Sequence, residues 1–178
     1  MSEVMLDIET YSTKNNAAIL TLGAVKFNRN SGVIGLDEMD TFYRRIDLES
    51  NKTYGRDINE DTLLWWSTQP EEARVEMESD ENRIPLKQAL QEFNKWFKGS
   101  EYIWSHGDDF DTVIVNSAMQ DCGLETPWKF WNTRDTRTLY DLAGVRNYHL
   151  PQNSKHHALH DCHNQITGVL LALRKLKL

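Results

Sequence analysis

Residues 4–10, VMLDIET, decide how the rest of the chain is read. Val4, Met5, Leu6 and Ile8 read as a β-strand. Asp7 and Glu9 lie two places apart on it, so both carboxylates leave the same face of a sheet. Two carboxylates that close repel each other unless a cation or a proton sits between them. A short apolar strand carrying such a pair suggests a site for a hard divalent ion, although a solvated strand end accommodates the pair as well.

Working outward, a second strand is expected over Ile19–Phe27 and a third from about Met39 to Ile46. The segment NRNSG (28–32) between them has turn chemistry, which makes the two antiparallel. Helical spacing follows in DTLLWW (61–66), behind a cap at Asn59, and in PLKQALQEFNKWF (85–97). In the latter Leu86, Leu90, Phe93 and Phe97 share a face, and Gly99 stops the helix. EYIWSH (101–106) reads as a strand, followed by a helix from Phe110 to Cys122 closed by Gly123. A short strand is expected at Trp128–Trp131, then a helix capped by Asp135. The last helix, His157–Leu176, sets Leu159, Cys162, Ile166, Leu170 and Leu173 at helical spacing. Strands first, then alternating helices and strands, predict an α/β fold in which helices flank a mixed five-stranded sheet.

With 178 residues and no repeat or linker, one domain spanning 1–178 is expected. The start has no basic segment and no apolar run of leader type, and GVLLAL (168–173) is far shorter than a membrane span. A soluble chain with no membrane partner is expected. Cys122 and Cys162 make no disulfide framework, which points to a reducing, cytoplasmic setting. The formal charge of −7 argues against gripping a long duplex and favours reading the end of a short strand.

Two more pieces carry chemistry. Asp111, in GDDFD (107–111), stands where a strand gives way to a helix; Asp108 and Asp109 would serve equally well as ordinary acids at a helix start. HHALHD (156–161) separates His156 from Asp161 by five residues, about 140° on an ideal helix. Both face one cleft only if His156 precedes or begins the helix. Asn153 and Ser154 offer caps at that point, and Pro151 keeps the preceding chain out of helix. An imidazole beside a metal cluster is suited to be a general base for water. A rival reading gives His156 and His160 a Zn²⁺ ion, but it leaves Asp7, Glu9 and Asp111 unexplained. His157, His160 and His163 read as surface or helix-packing residues, and Cys162 as core.

The ordered set DIET, FD and HHALHD resembles the DEDDh 3′-to-5′ exonucleases, the ribonuclease T, oligoribonuclease and proofreading-subunit superfamily with a ribonuclease H-like fold. The runs TLLWWSTQ (62–69), VKF, IWSHGDDFD, RDTRTL (134–139) and HHALHDCHNQ look like the ribonuclease T-like exoribonuclease subfamily, which also has DNA-degrading members. The resemblance spans essentially the whole chain. It implies that Asp7, Glu9 and Asp161 hold the metal that binds the attacking water. Asp7 and Asp111 would hold a second metal at the leaving oxygen, and His156 would take the water's proton. Two Mg²⁺ or Mn²⁺ ions are thereby implied, as is the 3′ end of a single-stranded RNA or DNA as partner, with release of nucleoside 5′-monophosphates. A homodimer is also admitted, since some enzymes of this kind are dimers. The competing class is a catalytically weak module of the same fold that only binds 3′ ends. Such a module would have lost a carboxylate or the histidine, and all five matching positions are filled.

Substrate contacts are expected from a wider set. Trp65 and Trp66 are about 100° apart on a helix, so one can be buried while the other stacks on a base. Arg134 and Arg137 could meet backbone phosphates, although a solvated helix start explains them as well. Thr10 is placed at the terminal nucleotide by the resemblance alone.

Overall fold

The structure, a computed structural model, describes residues 2–32, 35–146, 150 and 156–178. Strand β1 (Ser2–Thr10) forms around the opening apolar run and buries it on both faces. It pairs antiparallel with β2 (Ile19–Phe27) and parallel with β5 (Ser100–Ser105). The remaining strands are β3 (Asp40–Ile46), β4 (Arg83–Ile84) and β6 (Thr133–Asp135), and the sheet order is β4-β3-β2-β1-β5-β6. β2 and β3 are antiparallel, as their turn chemistry predicts.

Among the described residues the sheet has six strands rather than the expected five. The extra one, β4, is two residues long and pairs with Arg45 and Ile46, too short to leave a periodic signal in sequence. The strand expected at Trp128–Trp131 is also displaced. Phe130–Asn132 is a turn of 3-10 helix, and β6 begins only at Thr133. Aromatic residues favour strands when they have a sheet face to pack on, yet Phe130 and Trp131 are 81% and 59% exposed. Thr133–Asp135 instead pairs with Ile103–Ser105.

One face of the sheet is covered by α4 (Leu86–Phe97) and α5 (Asp111–Asp121), which pack Leu90, Phe93, Phe97 and Ile114 on Val4, Leu6 and Ile8. The other face carries α6 (Thr136–Ala143) and α7 (Ala158–Leu176), where Tyr140, Cys162, Ile166 and Leu170 meet Met5, Val25 and Trp104. Three helices lie between β3 and β4. The expected one, α2 (Glu60–Ser67), is capped by Asn59, which accepts from Asp61 N at 2.8 Å and Thr62 N at 3.2 Å. The other two, α1 (Leu48–Thr53) and α3 (Glu71–Glu78), were not expected, because both are short and mostly polar. Among the described residues, no helix is long and apolar enough to cross a membrane.

Candidate active site

β1 delivers Asp7 and Glu9 to the face covered by α7, and α7 contributes Asp161 from its first turn. Carboxylate oxygens of the three lie within 4.8 Å of one another. A register shift between Glu9 and Thr10 breaks the pairing of β1 with β2 at this point, the kind of bulge that re-aims a side chain. The approach of α7 depends on Gly23, which lies opposite Asp7 in the ladder. A Cβ at Gly23 would stand 2.6 Å from Ala158 Cβ and 2.8 Å from its carbonyl carbon, inside normal contact distance. Cys162 fills the same junction as core, its thiol directed at the carbonyls of Met5 and Gly23.

Asp111 opens α5 on the opposite side and is 4% exposed. Its Oδ1 accepts from Ile8 N at 3.1 Å, which fixes it to the backbone between Asp7 and Glu9. Gln165, one turn beyond Asp161, donates from Nε2 to Asp7 Oδ1 at 2.8 Å. Tyr140 Oη in turn donates to the Gln165 carbonyl at 2.6 Å, tying α6 to α7 behind the carboxylates. The other amide atom, Gln165 Oε1, is buried without a protein partner among the described residues. Sequence reasoning missed both Gln165 and Gly23. The i,i+4 spacing from Asp161 could have marked Gln165, whereas Gly23 is recognisable only once the helix is docked.

Burial dominates the electrostatics. It pushes the Asp7 carboxyl well above the usual range, and the charges of Asp111, Glu9 and Asp161 push it further, against the hydrogen bond from Gln165. Glu9 is raised to about 8 by burial and then by Asp161 and Asp111. Burial also lifts Asp111 to about 7, opposed by the Ile8 N–H bond, and raises Asp161 despite the backbone N–H groups of His156 and His157. Arg137 lowers Asp111, and the imidazoles of His156 and His157 lower Asp161, but neither outweighs burial. Hard oxygen donors in that state fit a divalent metal ion.

The carboxylates form one end of a cavity of about 900 Å³. α7 starts at Ala158, so His156 precedes it, with a left-handed backbone (φ +63°) and its N–H bonded to Asp161 Oδ2 at 2.9 Å. Its ring meets Trp65 and Trp66 edge to face, with centroids 5.0 and 5.8 Å away. Because the helix begins after His156, this residue and His160 do not occupy successive helical turns as the zinc reading needs. His160 instead stacks on His157, which stacks on Tyr43. The caps read at Asn153 and Ser154, and Pro151, lie outside the described residues.

Trp66 is buried and donates from Nε1 to the Thr10 carbonyl at 2.9 Å, while Trp65 is 45% exposed on the cavity wall. The two rings thus divide as their angular separation predicts. Thr10 lines the cavity, but its hydroxyl is already donated to Ser12 O at 2.6 Å. Arg137 lines the cavity and packs its guanidinium against Gly107, where a Cβ would lie 3.0 Å from it. Arg134 is not among the cavity residues; it donates to the carbonyls of Trp131 and Thr133 and lies over the Tyr102 ring at 4.3 Å. His106, not singled out in the sequence, also faces the cavity, bonded through Nδ1 to Thr136 Oγ1 at 2.7 Å. Burial, helped by the Arg137 charge, holds its pKa below the ordinary value, so it is neutral near pH 7.

Comparisons with known proteins relate the chain to nucleases. Residues 2–172 match the family described as the 3′-5′ exoribonuclease Rv2179c-like domain. An exodeoxyribonuclease of Enterobacteria phage T4 is 28% identical over 205 aligned positions, covering 98% of this chain and 90% of the phage protein. The nuclease domain of 3′hExo, a DEDDh family member solved with bound rAMP, superposes with a TM-score of 0.58 at 14% identity, covering 99% of this chain and 92% of that one. Cell-death related nuclease 4 gives 0.52 at 12% identity over 98% of this chain, which spans only 64% of that nuclease. Exonuclease I of Methylocaldum szegediense gives 0.57 at 10% identity over 99% of this chain and 40% of that one. Such low identities establish the fold alone, a ribonuclease H-like α/β sheet. The match over residues 2–172 establishes more: the chain belongs to the 3′-5′ exoribonuclease Rv2179c-like domain family.

Proposed function

We propose that this chain is a two-metal-ion exonuclease that removes nucleoside 5′-monophosphates from the 3′ end of single-stranded RNA or DNA. The observation that carries the reading is the convergence of Asp7, Glu9 and Asp161 within 4.8 Å, with Asp111 bound to the backbone between the first two. Asp7, Glu9, Asp111 and Asp161 would hold the ions. When bound, two such ions supply an activated water and neutralise charge on the leaving oxygen.

The rest falls to the side chains. His156 stands before α7 at the cavity wall, where a neutral imidazole takes the proton of the attacking water. The new bond joins the water oxygen to phosphorus and the bond to the penultimate 3′-oxygen breaks, so the terminal nucleotide leaves as a 5′-monophosphate. Trp65 offers an exposed ring on which the terminal base stacks. Arg137 presents a cation at the cavity wall to a backbone phosphate. Gln165 holds the Asp7 carboxylate in place. The buried free thiols of Cys122 and Cys162 are in keeping with a reducing, cytoplasmic setting.

The sugar preference is open to experiment, since the family is described by RNA and the phage relative by DNA. Digestion of matched RNA and DNA oligonucleotides, with free and blocked 3′ ends, tests the whole reading. The expected result is mononucleotide release from free 3′ ends only, in the presence of Mg²⁺ or Mn²⁺. Internal cleavage, digestion of blocked ends, or full activity under a chelator would overturn it. Binding of free 3′ ends without hydrolysis would instead support the end-binding module.

A further inference from the structure

The free edge of the sheet carries a surface that the active site does not use. β6 is the outermost strand on its side of the sheet, and the turn before it holds Phe130 and Trp131 in solvent, 81% and 59% exposed. The rings meet edge to face at 4.8 Å, and Lys129 Nζ lies 5.3 Å above the Trp131 ring. Next along the chain Arg134 lies over Tyr102. Rings and cations therefore alternate along one edge.

Charge decides what fits there. Lys129, Arg134 and Arg137 form no ion pair with a carboxylate among the described residues. Nearby acids are engaged. Glu3 is held by Arg29 and by Trp104 Nε1, and Asp135 accepts from Gly107 N, Arg137 N and Thr138 N. Glu101 lies in the field of Arg29. In a chain whose formal charge is −7, this edge sets Lys129 and Arg134, which form no salt bridge among the described residues, beside exposed rings. Backbone phosphates pair with such cations, and bases stack on such rings irrespective of sequence.

Direction matters as well. β6 runs parallel to β5 and β1, so the chain passes from the Phe130–Trp131 turn through Arg134 to Arg137, which is on the cavity wall. At strand and helix rises, Trp131 lies about 15 Å along the backbone from Arg137, beyond the reach of the terminal nucleotide. We propose that Lys129, Phe130, Trp131 and Arg134 form a secondary binding track for the 5′-ward part of the single strand whose 3′ end occupies the cavity. The track rests on the exonuclease reading and extends it, because it makes the enzyme prefer strands long enough to reach β6. It also reconciles an acidic protein with a polyanionic substrate.

The test compares initial rates on a trinucleotide and on an oligonucleotide longer than about 16 residues, the upper end of common single-strand site sizes. Phe130→Ala with Trp131→Ala should leave the trinucleotide rate unchanged and raise KM for the long strand about tenfold, with kcat conserved. Lys129→Gln should lower the salt dependence of long-strand KM by about 0.7 in log–log slope. Both sites are at the surface, and a thermal melt checks that the fold is kept. Equal KM for the long strand in parent and double variant would overturn the track. So would a double variant that changes from dimer to monomer by light scattering while its long-strand KM stays put, since a second copy of the chain would then cover this edge. A parent inactive even on the trinucleotide would overturn the exonuclease reading, and the track with it.

Discussion

Gly23→Ala adds one methyl group, and the structure specifies where it goes. The new Cβ would lie 2.6 Å from Ala158 Cβ, 2.8 Å from the Ala158 carbonyl carbon and 3.0 Å from Leu159 N. Carbon atoms settle about 3.5–4.0 Å apart, so the start of α7 must withdraw by about 1 Å. Overpacking of this kind costs about 1–3 kcal/mol, which for a chain of this size lowers Tm by about 2–12 °C. The larger effect falls on the site. Asp161 is on the first turn of α7 and Gly23 is paired with Asp7, so the withdrawal opens the group of oxygens now within 4.8 Å. A misplacement of about 1 Å at a reacting centre is enough for a loss on the order of 10² in rate. The assay pairs oligonucleotide hydrolysis with Mn²⁺ titration by calorimetry: kcat and Mn²⁺ affinity should fall together while the circular dichroism spectrum is kept. Ala158→Gly removes the nearest clash and should return part of both losses in the double variant. Hydrolysis within a few fold of the parent, at unchanged Mn²⁺ affinity, would refute the claim that helix docking sets the carboxylate spacing.

Four further outcomes are expected. Burial raises Glu9 to about 8 and Asp111 to about 7, above their unfolded values near 4, so the folded protein binds more protons than the unfolded chain between about pH 4 and 8. Metal-free stability should therefore fall as pH rises through that window; Mg²⁺ or Asp111→Asn should flatten the decline, and a melting series that is level with pH would count against the buried charges. Asp111→Asn should also abolish hydrolysis, with Asp109→Asn as the mild control. Gln165→Leu removes the 2.8 Å bond to Asp7 and should weaken Mn²⁺ binding about 10–100-fold, an effect that Gln165→Glu would not repair because it adds another charge to the cluster. His156→Ala should lose on the order of 10²–10⁴ in kcat with metal and strand binding intact, and a rate that falls less than tenfold would remove it from the role of base.

Legibility in the sequence followed the range of the interactions. β1, β2, α4 and α7 were readable because each buries an apolar face with a definite period, and the three acidic motifs were readable because their spacing along the chain is itself the signal. α1 was not, since LESNKT has no apolar stripe and stands on a cap: Asp47 accepts from Ser50 N at 2.8 Å. α3 likewise buries only Ala73 and Met77. The aromatic run at 128–131 was misread as a strand because propensity says nothing about whether a partner face exists; only Trp128 of that run is buried. Arg134 and Arg137 looked equivalent beside Asp135, yet the end of β6 sends Arg134 to Tyr102 and Arg137 to the cavity. Gly23 acts on residues far away in sequence and no local pattern encodes its contact, whereas Gln165 shares a helix face with Asp161 by i,i+4 spacing and only its bond to Asp7 is distant.

These long-range contacts explain how a fold can keep a site that works against its own stability. Asp7 is on the central strand, opposite Gly23 in the ladder to β2, so moving it disturbs that pairing. Asp111 is secured by the Ile8 N–H, Asp161 accepts from the N–H of His156, and Gln165 braces Asp7. Asp7, Asp111 and Asp161 are therefore each held by a backbone or amide donor that cannot follow if the side chain turns away, and several of those donors belong to elements with large apolar faces. Repulsion among buried charges ordinarily disperses them by rotating side chains toward water. Here rotation would break a hydrogen bond inside the fold and leave a buried donor unsatisfied, at a cost of about 1–3 kcal/mol each. The apolar packing of α5 and α7 thus keeps the carboxylates together at the cavity, where a bound proton or a divalent cation relieves their repulsion.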